Sequence, residues 1–275
     1  MVETSAHTKI REIEIMVKCL KVIDSHAHLS MDTFKQDLQS VIEHARSRGV
    51  VAVMNPTIDK KDFLEALQIQ KKYPDFIYVA LGLAPQLLNE RKLDEFMEAI
   101  NEYNNKYLAI GECGLDYYWV TKPKEIEFMR QAFMKVMEVV AERKKPIIIH
   151  ARSAHRRNAY REIIKYLKEF GIEKAVFHAF LGKKSDALEI IKGGWMLGIP
   201  TIYMRRRDLW GVIKAVPLDN MVIETDSPYL SPVKGTRNEP ANVVGLIDLI
   251  AEIKGKNKEE IACKIYENTK ALFNI

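Results

Sequence analysis

The sequence predicts a single-domain α/β protein with the (β/α)8 architecture of a TIM-type barrel. Eight short, β-branched or apolar runs alternate along the chain with longer segments whose apolar residues recur at i, i+3 and i+4. The length of 275 residues suits one such barrel, and no linker rich in Pro, Gly or Ser interrupts the alternation. A doubly wound open sheet is the alternative, but no Gly-x-Gly-x-x-Gly turn follows the first run.

The predicted strands are short and almost uniformly apolar, as expected of strands that are covered on both faces. They lie at residues 22–27, 50–55, 77–83, 108–112, 147–150, 175–178, 195–199 and 221–225. Amphipathic spacing predicts helices between them, for example at 34–47, 63–72, 96–103, 126–143 and 160–170. A further helix at 258–273 is predicted to close the C-terminal end of the domain.

Residues 1–20 are interpreted as an extension that precedes a barrel domain at 21–275. Met16 stands shortly before the first strand and is an alternative start to Met1. The extension is predicted to form a short docking helix, because its apolar residues recur at helical spacing: Ile10, Ile13, Val17 and Leu20.

Composition narrows the class of protein. Apolar residues make up 47% of the chain, which is enough for a full core, and no apolar run reaches the ~18 residues that a membrane span needs. Charged residues interrupt the N-terminus, so a signal peptide is not expected. Cys19, Cys113 and Cys263 are too few and too scattered for a disulfide framework, which favours a cytoplasmic protein. The net charge of +5 permits a polyanionic partner without requiring one.

Residues that can bind metal ions recur at the predicted C-terminal ends of the strands, where barrel active sites are built. In a strand, side chains two residues apart point to the same face, so a His-x-His pair can reach one point in space. A single histidine after an apolar run is usually a hydrogen-bonded core residue, but four together with two carboxylates favour a metal site. The six candidate ligands are His26, His28, Glu112, His150, His178 and Asp226.

Six ligands exceed the four of a tetrahedral zinc site and suit two divalent ions ~3.5–4 Å apart. Glu112 has two carboxylate oxygens and is the natural bridge. One ion is then expected on His26, His28, Glu112 and Asp226, and the other on Glu112, His150 and His178. Mixed nitrogen and oxygen ligation leaves the metal open among Zn, Mn, Mg, Co and Ni.

At these motifs the chain resembles the TatD-like metal-dependent hydrolases (deoxyribonucleases), a branch of the amidohydrolase-like superfamily. The similar segments span residues 22–273 and read Ile-Asp-Ser-His-Ala-His-Leu, Gly-Glu-Cys-Gly-Leu-Asp-Tyr-Tyr, Ile-His-Ala-Arg, Val-Phe-His, Glu-Thr-Asp-Ser-Pro-Tyr-Leu and Arg-Asn-Glu-Pro-Ala-Asn-Val. The resemblance implies a divalent-metal phosphodiesterase, chiefly a 3′→5′ DNA exonuclease. It also implies a glutamate, here Glu112, in place of a carboxylated lysine on the fourth strand.

One departure from this family concerns substrate handling. The family usually has Gly-x-His-Pro-His after the third strand, whereas this chain has Ala84 and Gln86 at the two histidine positions. The first of those histidines is implied to contact the phosphate or the leaving group. The metal ligands are unaffected, so the departure bears on nuclease rate and substrate choice.

The hypothesis for the reaction is two-metal activation of a bridging hydroxide, which attacks phosphorus in line. Glu112 and Asp226 are the predicted catalytic residues; Asp226 is expected to orient the water and accept its proton. Asp24 is predicted to hold a ligand histidine in one tautomer. Glu239 is either a similar support or an acid at a helix N-terminus.

Basic clusters follow the fifth, sixth and seventh strands and favour contact with a phosphate backbone. Tyr117, Tyr118 and Trp119 directly follow the fourth strand and are candidates for stacking on unpaired bases. Cys113 is expected to pack in the core. The predicted substrate contacts are Arg152, Arg205, Arg237 and Tyr117.

The leading hypothesis is therefore a metal-dependent enzyme that hydrolyses phosphodiester bonds of DNA, trimming the 3′ ends of single strands. An alternative is a hydrolase of a small amide or ester on the same metal site, which the alanine at position 84 favours. A third hypothesis is a metal-binding scaffold with little catalysis; the complete ligand set disfavours it. The basic loops separate the first two, because a small neutral substrate would not need them.

Overall fold

The computed structural model describes residues 21–275, in which eight parallel strands pair in chain order from β1 to β8. Hydrogen bonds from the segment after β1 to β8 and to the segment after β8 close the ring: Ser25 N donates to Ile223 O at 3.0 Å, and His28 N donates to Ser227 O at 2.8 Å. The predicted TIM-type barrel is confirmed. The strands are β1 (Val22–Asp24), β2 (Val50–Pro56), β3 (Ile77–Leu81), β4 (Ala109–Asp116), β5 (Ile147–Arg152), β6 (Ala175–Phe177), β7 (Met196–Pro200) and β8 (Met221–Glu224).

A helix follows each strand and covers the outside of the barrel. Several of these helices begin at a side-chain cap; the carboxylate of Asp59, for instance, accepts the Asp62 N–H. The helices are α1 (Leu38–Ser47), α2 (Lys60–Lys72), α3 (Glu90–Glu102), α4 (Pro123–Arg143), α5 (Ala159–Glu169), α6 (Lys184–Lys192), α7 (Trp210–Ala215), α8 (Gly245–Lys254) and α9 (Lys258–Phe273). The predicted closing helix is α9, with the expected bounds.

The apolar residues form two layers of core, because successive side chains of a strand face opposite sides of the sheet. In β5, Ile147 and Ile149 point outward to the helices, whereas Ile148 points into the barrel. Two residues of α9 also pack inside the barrel, at the end where the strands begin. The resulting inner core contains Met54, Ala80, Ala109, Ile148, Val176, Val222, Leu272 and Phe273.

Some sequence-based expectations need correction. Strand β4 runs on to Asp116, so Glu112 lies within the strand and not at its end. Cys113 is buried and free, as expected, but Cys263 is disulfide-bonded, which weakens the compositional argument for a reducing compartment. The predicted helix in the N-terminal extension lies outside the described residues. Within residues 21–275, every helix is too short or too polar to cross a membrane.

Candidate metal centre and substrate cavity

The candidate ligands share a position in the barrel that follows from strand periodicity. Ile148 and Val176 belong to the inner core, and two residues further along the same faces come His150 and His178. The same step leads from Val222 to Glu224 in β8. A layer of ionisable groups therefore rests directly on the apolar inner core, at the C-terminal end of the barrel.

All six predicted ligands meet in this layer. Three groups of ligand atoms each lie within 4.8 Å of one another: His26, His28 and Glu112; Glu112, His150 and His178; and His26, His178 and Asp226. The two nitrogens of the His-x-His pair, both Nε2, are 3.2 Å apart. Asp226 Oδ1 lies 3.5 Å from His28 Nε2 and 3.7 Å from His26 Nε2.

The carboxylate of Glu112 lies between two pairs of histidines. Its Oε2 is 3.5 Å from His26 Nε2 and 3.4 Å from His28 Nε2. Its Oε1 is 2.5 Å from His150 Nδ1 and 3.2 Å from His178 Nε2. Each carboxylate oxygen thus faces one pair of histidines, as expected of a carboxylate that bridges two metal ions.

The buried histidines and carboxylates of the cluster shift one another's pKa values. Burial by itself raises the pKa of Glu112, but the surrounding histidines outweigh burial and hold it well below its usual value. Burial lowers the pKa of His28 and of His150, yet their carboxylate contacts dominate and raise the pKa values to about 10 and about 9. For His26, burial and the neighbouring His178 outweigh the contact with Glu112 and lower its pKa to about 3.

This donor set fits divalent metal ions. The cluster offers imidazole nitrogens and carboxylate oxygens, the ligands that suit Zn, Mn, Co and Ni. Within the described part of the chain, His26 Nδ1 and His178 Nδ1 are buried without a hydrogen-bond partner, whereas the Nε2 atom of each ring faces the carboxylate of Glu112. Since metal ligands must be deprotonated, an ion would take the place of the protons that the carboxylates now favour on His28 and His150.

Asp24 supports the cluster through the backbone and not through a histidine ring. Its carboxylate accepts hydrogen bonds from Thr225 N at 2.9 Å, Thr225 Oγ1 at 2.6 Å and His26 N at 3.3 Å. It thereby joins the two segments that carry His26 and Asp226. The prediction that Asp24 fixes a histidine tautomer is wrong in this detail, because its bonds reach the main chain and the threonine hydroxyl.

Glu239 lies apart from the cluster. Its Oε1 is 2.8 Å from His44 Nδ1, and the residue occupies the N-cap position of a short 3-10 helix, Pro240–Val244, without a side-chain capping bond. The interpretation as an acid at a helix N-terminus is the one that the structure supports.

Two carboxylates that sequence reasoning did not single out contact the ligand histidines or their neighbours. Asp116 Oδ2 is 2.9 Å from His150 Nε2 and also accepts a hydrogen bond of 2.9 Å from Gln86 Nε2. Glu224 is fully buried; it accepts the N–H of Ala179, the residue after His178. A signal for both was present in the sequence, because Asp116 stands four residues after Glu112 and Glu224 stands two residues before Asp226.

A cavity of about 1150 Å³ opens above the metal cluster. His28, Glu112, His150, His178 and Asp226 form part of its floor. Its wall carries several basic side chains from the end of β5, the loop after it, the start of α5 and the loop after β6: Arg152, Arg156, Arg157, Arg161 and Lys183. Such a cavity suits a long anionic substrate.

Of the predicted substrate contacts, only Arg152 lines this cavity. Tyr117 is 1% exposed, and its hydroxyl donates to Glu162 Oε2 at 2.5 Å. Arg237 forms a bidentate pair with Asp37 at 2.9 and 2.6 Å. Arg205 donates to the carbonyl oxygen of Ser231. Tyr117, Arg205 and Arg237 are therefore not retained as substrate contacts, since each is engaged within the protein away from the cavity.

Comparison with known proteins agrees with this picture. A family profile described as TatD related DNase matches residues 23–274. The metal-dependent hydrolase YabD of Bacillus subtilis, itself uncharacterized, is 35% identical over 92% of this chain and 99% of its own. The 3'-5' ssDNA/RNA exonuclease TatD of Pectobacterium carotovorum is 28% identical over 92% of this chain and 100% of its own.

Among solved structures, the TatD homolog YjjV of Escherichia coli superposes with a TM-score of 0.83 at 24% identity, covering 94% of this chain and 99% of its own, which supports the fold. The family profile covers all eight strands except Val22 and includes every candidate ligand described above. The chain belongs to the TatD-related DNase family of metal-dependent hydrolases.

Proposed function

We propose that this protein is a divalent-metal-dependent phosphodiesterase that removes nucleotides from the 3′ ends of single-stranded DNA. The observation that carries the proposal is the carboxylate of Glu112, each oxygen of which faces one pair of ligand histidines. That arrangement supports two ions, one on His26, His28, Glu112 and Asp226 and the other on Glu112, His150 and His178.

Divalent ions at this centre would lower the pKa of a coordinated water and offset negative charge on the phosphate oxygens. The protein's own contribution is placement. Glu112 sets the spacing of the two histidine pairs, and Asp226 faces the His26–His28 pair from the cavity floor. We assign Asp226 the role of orienting the attacking water and accepting its proton, which its position at the base of the cavity allows.

Two features support a nucleic acid as substrate. The cavity is larger than a small amide or ester needs, and five basic side chains line it. The Pectobacterium relative carries the name of a 3'-5' ssDNA/RNA exonuclease, so RNA is the nearest competing substrate. A cytoplasmic location stays a prediction from composition.

A second candidate is hydrolysis of a small amide or ester on the same centre. The observation that favours it is Ala84, which lines the cavity where the family pattern has a histidine. The basic wall of the cavity opposes it, because a neutral substrate gains nothing from that charge.

The test uses single-stranded oligonucleotides labelled at the 3′ or the 5′ end, as DNA and as RNA, with Mg²⁺ or Mn²⁺ and with chelator. Stepwise, chelator-sensitive loss from the 3′ end of DNA is expected. If protein that holds two metal ions per chain cleaves neither the DNA nor the RNA oligonucleotide, the nuclease proposal is overturned and the small-molecule hydrolase is favoured.

The variant Glu112→Gln tests the bridge in the same assay. Loss of the shared carboxylate is expected to lower the metal content below two ions per chain and the rate by at least about 100-fold. Elemental analysis of the dialysed protein measures the first. Wild-type metal content and rate would contradict the two-ion scheme.

A further inference from the structure

Two large aromatic side chains stand exposed at the edge of the substrate cavity. Trp119 is 62% exposed and Tyr118 is 48% exposed, although both directly follow the buried Tyr117. Trp119 lines the cavity together with Arg152 from the end of β5. We call Tyr118, Trp119 and Arg152 the aromatic wall. Exposure of this much apolar surface to water is unfavourable, so the aromatic wall is a candidate ligand-binding surface.

Contacts with Asp116 and Arg152 fix the positions of the two aromatic residues. Asp116 Oδ1 accepts the N–H of Tyr118 at 2.8 Å and that of Trp119 at 2.9 Å. The two rings meet edge to face, with centroids 4.9 Å apart and planes at 87°. The Arg152 guanidinium carbon lies 4.1 Å from the Tyr118 ring centre and 5.8 Å from that of Trp119. A surface fixed by this many contacts is preorganised for binding.

The same carboxylate links the wall to the metal centre. While Asp116 Oδ1 fixes the turn that carries Trp119, Asp116 Oδ2 lies 2.9 Å from His150 Nε2. Arg156, Arg157 and Lys183 line the same cavity and supply positive charge beside the wall. A ligand that reaches the wall while its phosphate lies over the metal centre must therefore combine a flat, apolar part with anionic groups.

We propose that the aromatic wall is a nucleobase-stacking subsite that binds one unpaired base of the nucleic-acid substrate. Stacking of a base on an aromatic side chain contributes ~1–3 kcal/mol and tolerates any base, because every base has a π-face. A base within a duplex has its faces covered by its neighbours, so this subsite selects single strands. The inference deepens the proposed nuclease function and rests on it.

The first experiment is a double-mutant cycle between Trp119 and the base. A single abasic position is moved one nucleotide at a time from the 3′ end of a single-stranded oligonucleotide, and KM is measured for each. At one position, the abasic site is expected to raise the KM of the wild-type protein about 5- to 100-fold. In Trp119→Ala that position-specific loss disappears, whereas Trp119→Phe, which keeps a ring, retains most of it.

The matched control is Leu188→Ala. Leu188 is also an exposed apolar residue, but it lies on α6 and does not line the cavity, so this variant is expected to keep the full abasic penalty. If the wild-type protein cleaves DNA with no position-specific abasic penalty, or Trp119→Ala keeps that penalty, the subsite is overturned while the nuclease function stands.

Binding without cleavage separates the inference from the proposed function. In chelator, single-stranded DNA is expected to quench the fluorescence of the exposed Trp119, and the abasic strand to quench it less. Trp195 is buried and serves as an internal reference. Quenching that Trp119→Phe abolishes, in protein that cleaves no DNA, supports the subsite even if the nuclease proposal fails. Equal quenching by the intact and the abasic strand overturns the subsite. Quenching by a mixture of peptides without DNA also overturns it, because the surface would then not be specific for bases.

Discussion

Gln86 stands where the family pattern has a second histidine, and it contacts a carboxylate beside the metal centre. Its side-chain amide donates to Asp116 Oδ2, which in turn contacts His150 Nε2, both at 2.9 Å. Asp116 is fully buried. A carboxylate behind a ligand histidine fixes the orientation of the ring, and Gln86 fixes the carboxylate.

We predict that Gln86→Ala weakens metal binding by about 10-fold, because loss of this hydrogen bond loosens Asp116 and with it His150. Gln86→His is expected to bind metal as tightly as the wild-type protein, because a ring N–H can replace the amide donor. Competition with a chromophoric chelator measures both dissociation constants. Gln131→Ala on the exposed face of α4 is the matched control; an equal loss in that variant would refute the role of Gln86.

At the scale of elements, much of the fold could be predicted because barrel strands are covered on both faces and read as apolar runs. The ligand histidines could be predicted because His150 and His178 stand two residues beyond inner-core positions of the same strands. The choice among Tyr117, Tyr118 and Trp119 could not. Once β4 ends at Asp116, strand alternation no longer determines which side chain faces the cavity.

Contacts between distant elements were also beyond sequence reasoning. Gln86 lies in the turn after β3, Asp116 ends β4 and His150 lies in β5, and no local pattern joins them. Arg237 was predicted as a substrate contact, but its partner Asp37 lies 200 residues away in sequence. Only the closed barrel brings such pairs together.

The close approach of β7 and β8 gives a prediction about Gly198. A Cβ atom at Gly198 would lie 2.3 Å from Oε2 of the fully buried Glu224. We expect Gly198→Ala to lower the free energy of unfolding by ~1–3 kcal/mol, as overpacking does. Metal binding is also expected to weaken, because Glu224 accepts the N–H of Ala179, next to His178.

Denaturant unfolding with and without divalent metal measures both effects of Gly198→Ala. The control is Gly211→Ala in α7, where an added Cβ meets nothing within 4 Å and alanine favours a helix, so no loss of stability is expected. If Gly198→Ala is as stable as Gly211→Ala, the carboxylate of Glu224 is free to move and does not support the site.

For the whole molecule, the arrangement of charge matters more than the net charge of +5. The sequence has basic clusters after three strands, but the structure separates them. Arg206 forms an ion pair with Asp208 outside the cavity. Within residues 21–275, the ion pairs found leave Arg156 and Arg157 unpaired, and both line the cavity. Their charge is therefore available to a substrate.

We predict that replacing Arg156 and Arg157 together by alanine weakens binding of single-stranded DNA and reduces its salt dependence. Each phosphate contact on a single strand contributes about 0.7 to the slope of log K against log salt, so the slope should fall by about 1.4. The control Arg206→Ala with Arg207→Ala removes the same charge outside the cavity and is expected to keep the slope. Titration of a labelled strand in chelator at several salt concentrations measures it. Equal slopes for the two double variants would mean that net charge alone attracts the substrate, and that the basic side of the cavity has no special part in holding the strand over the metal centre.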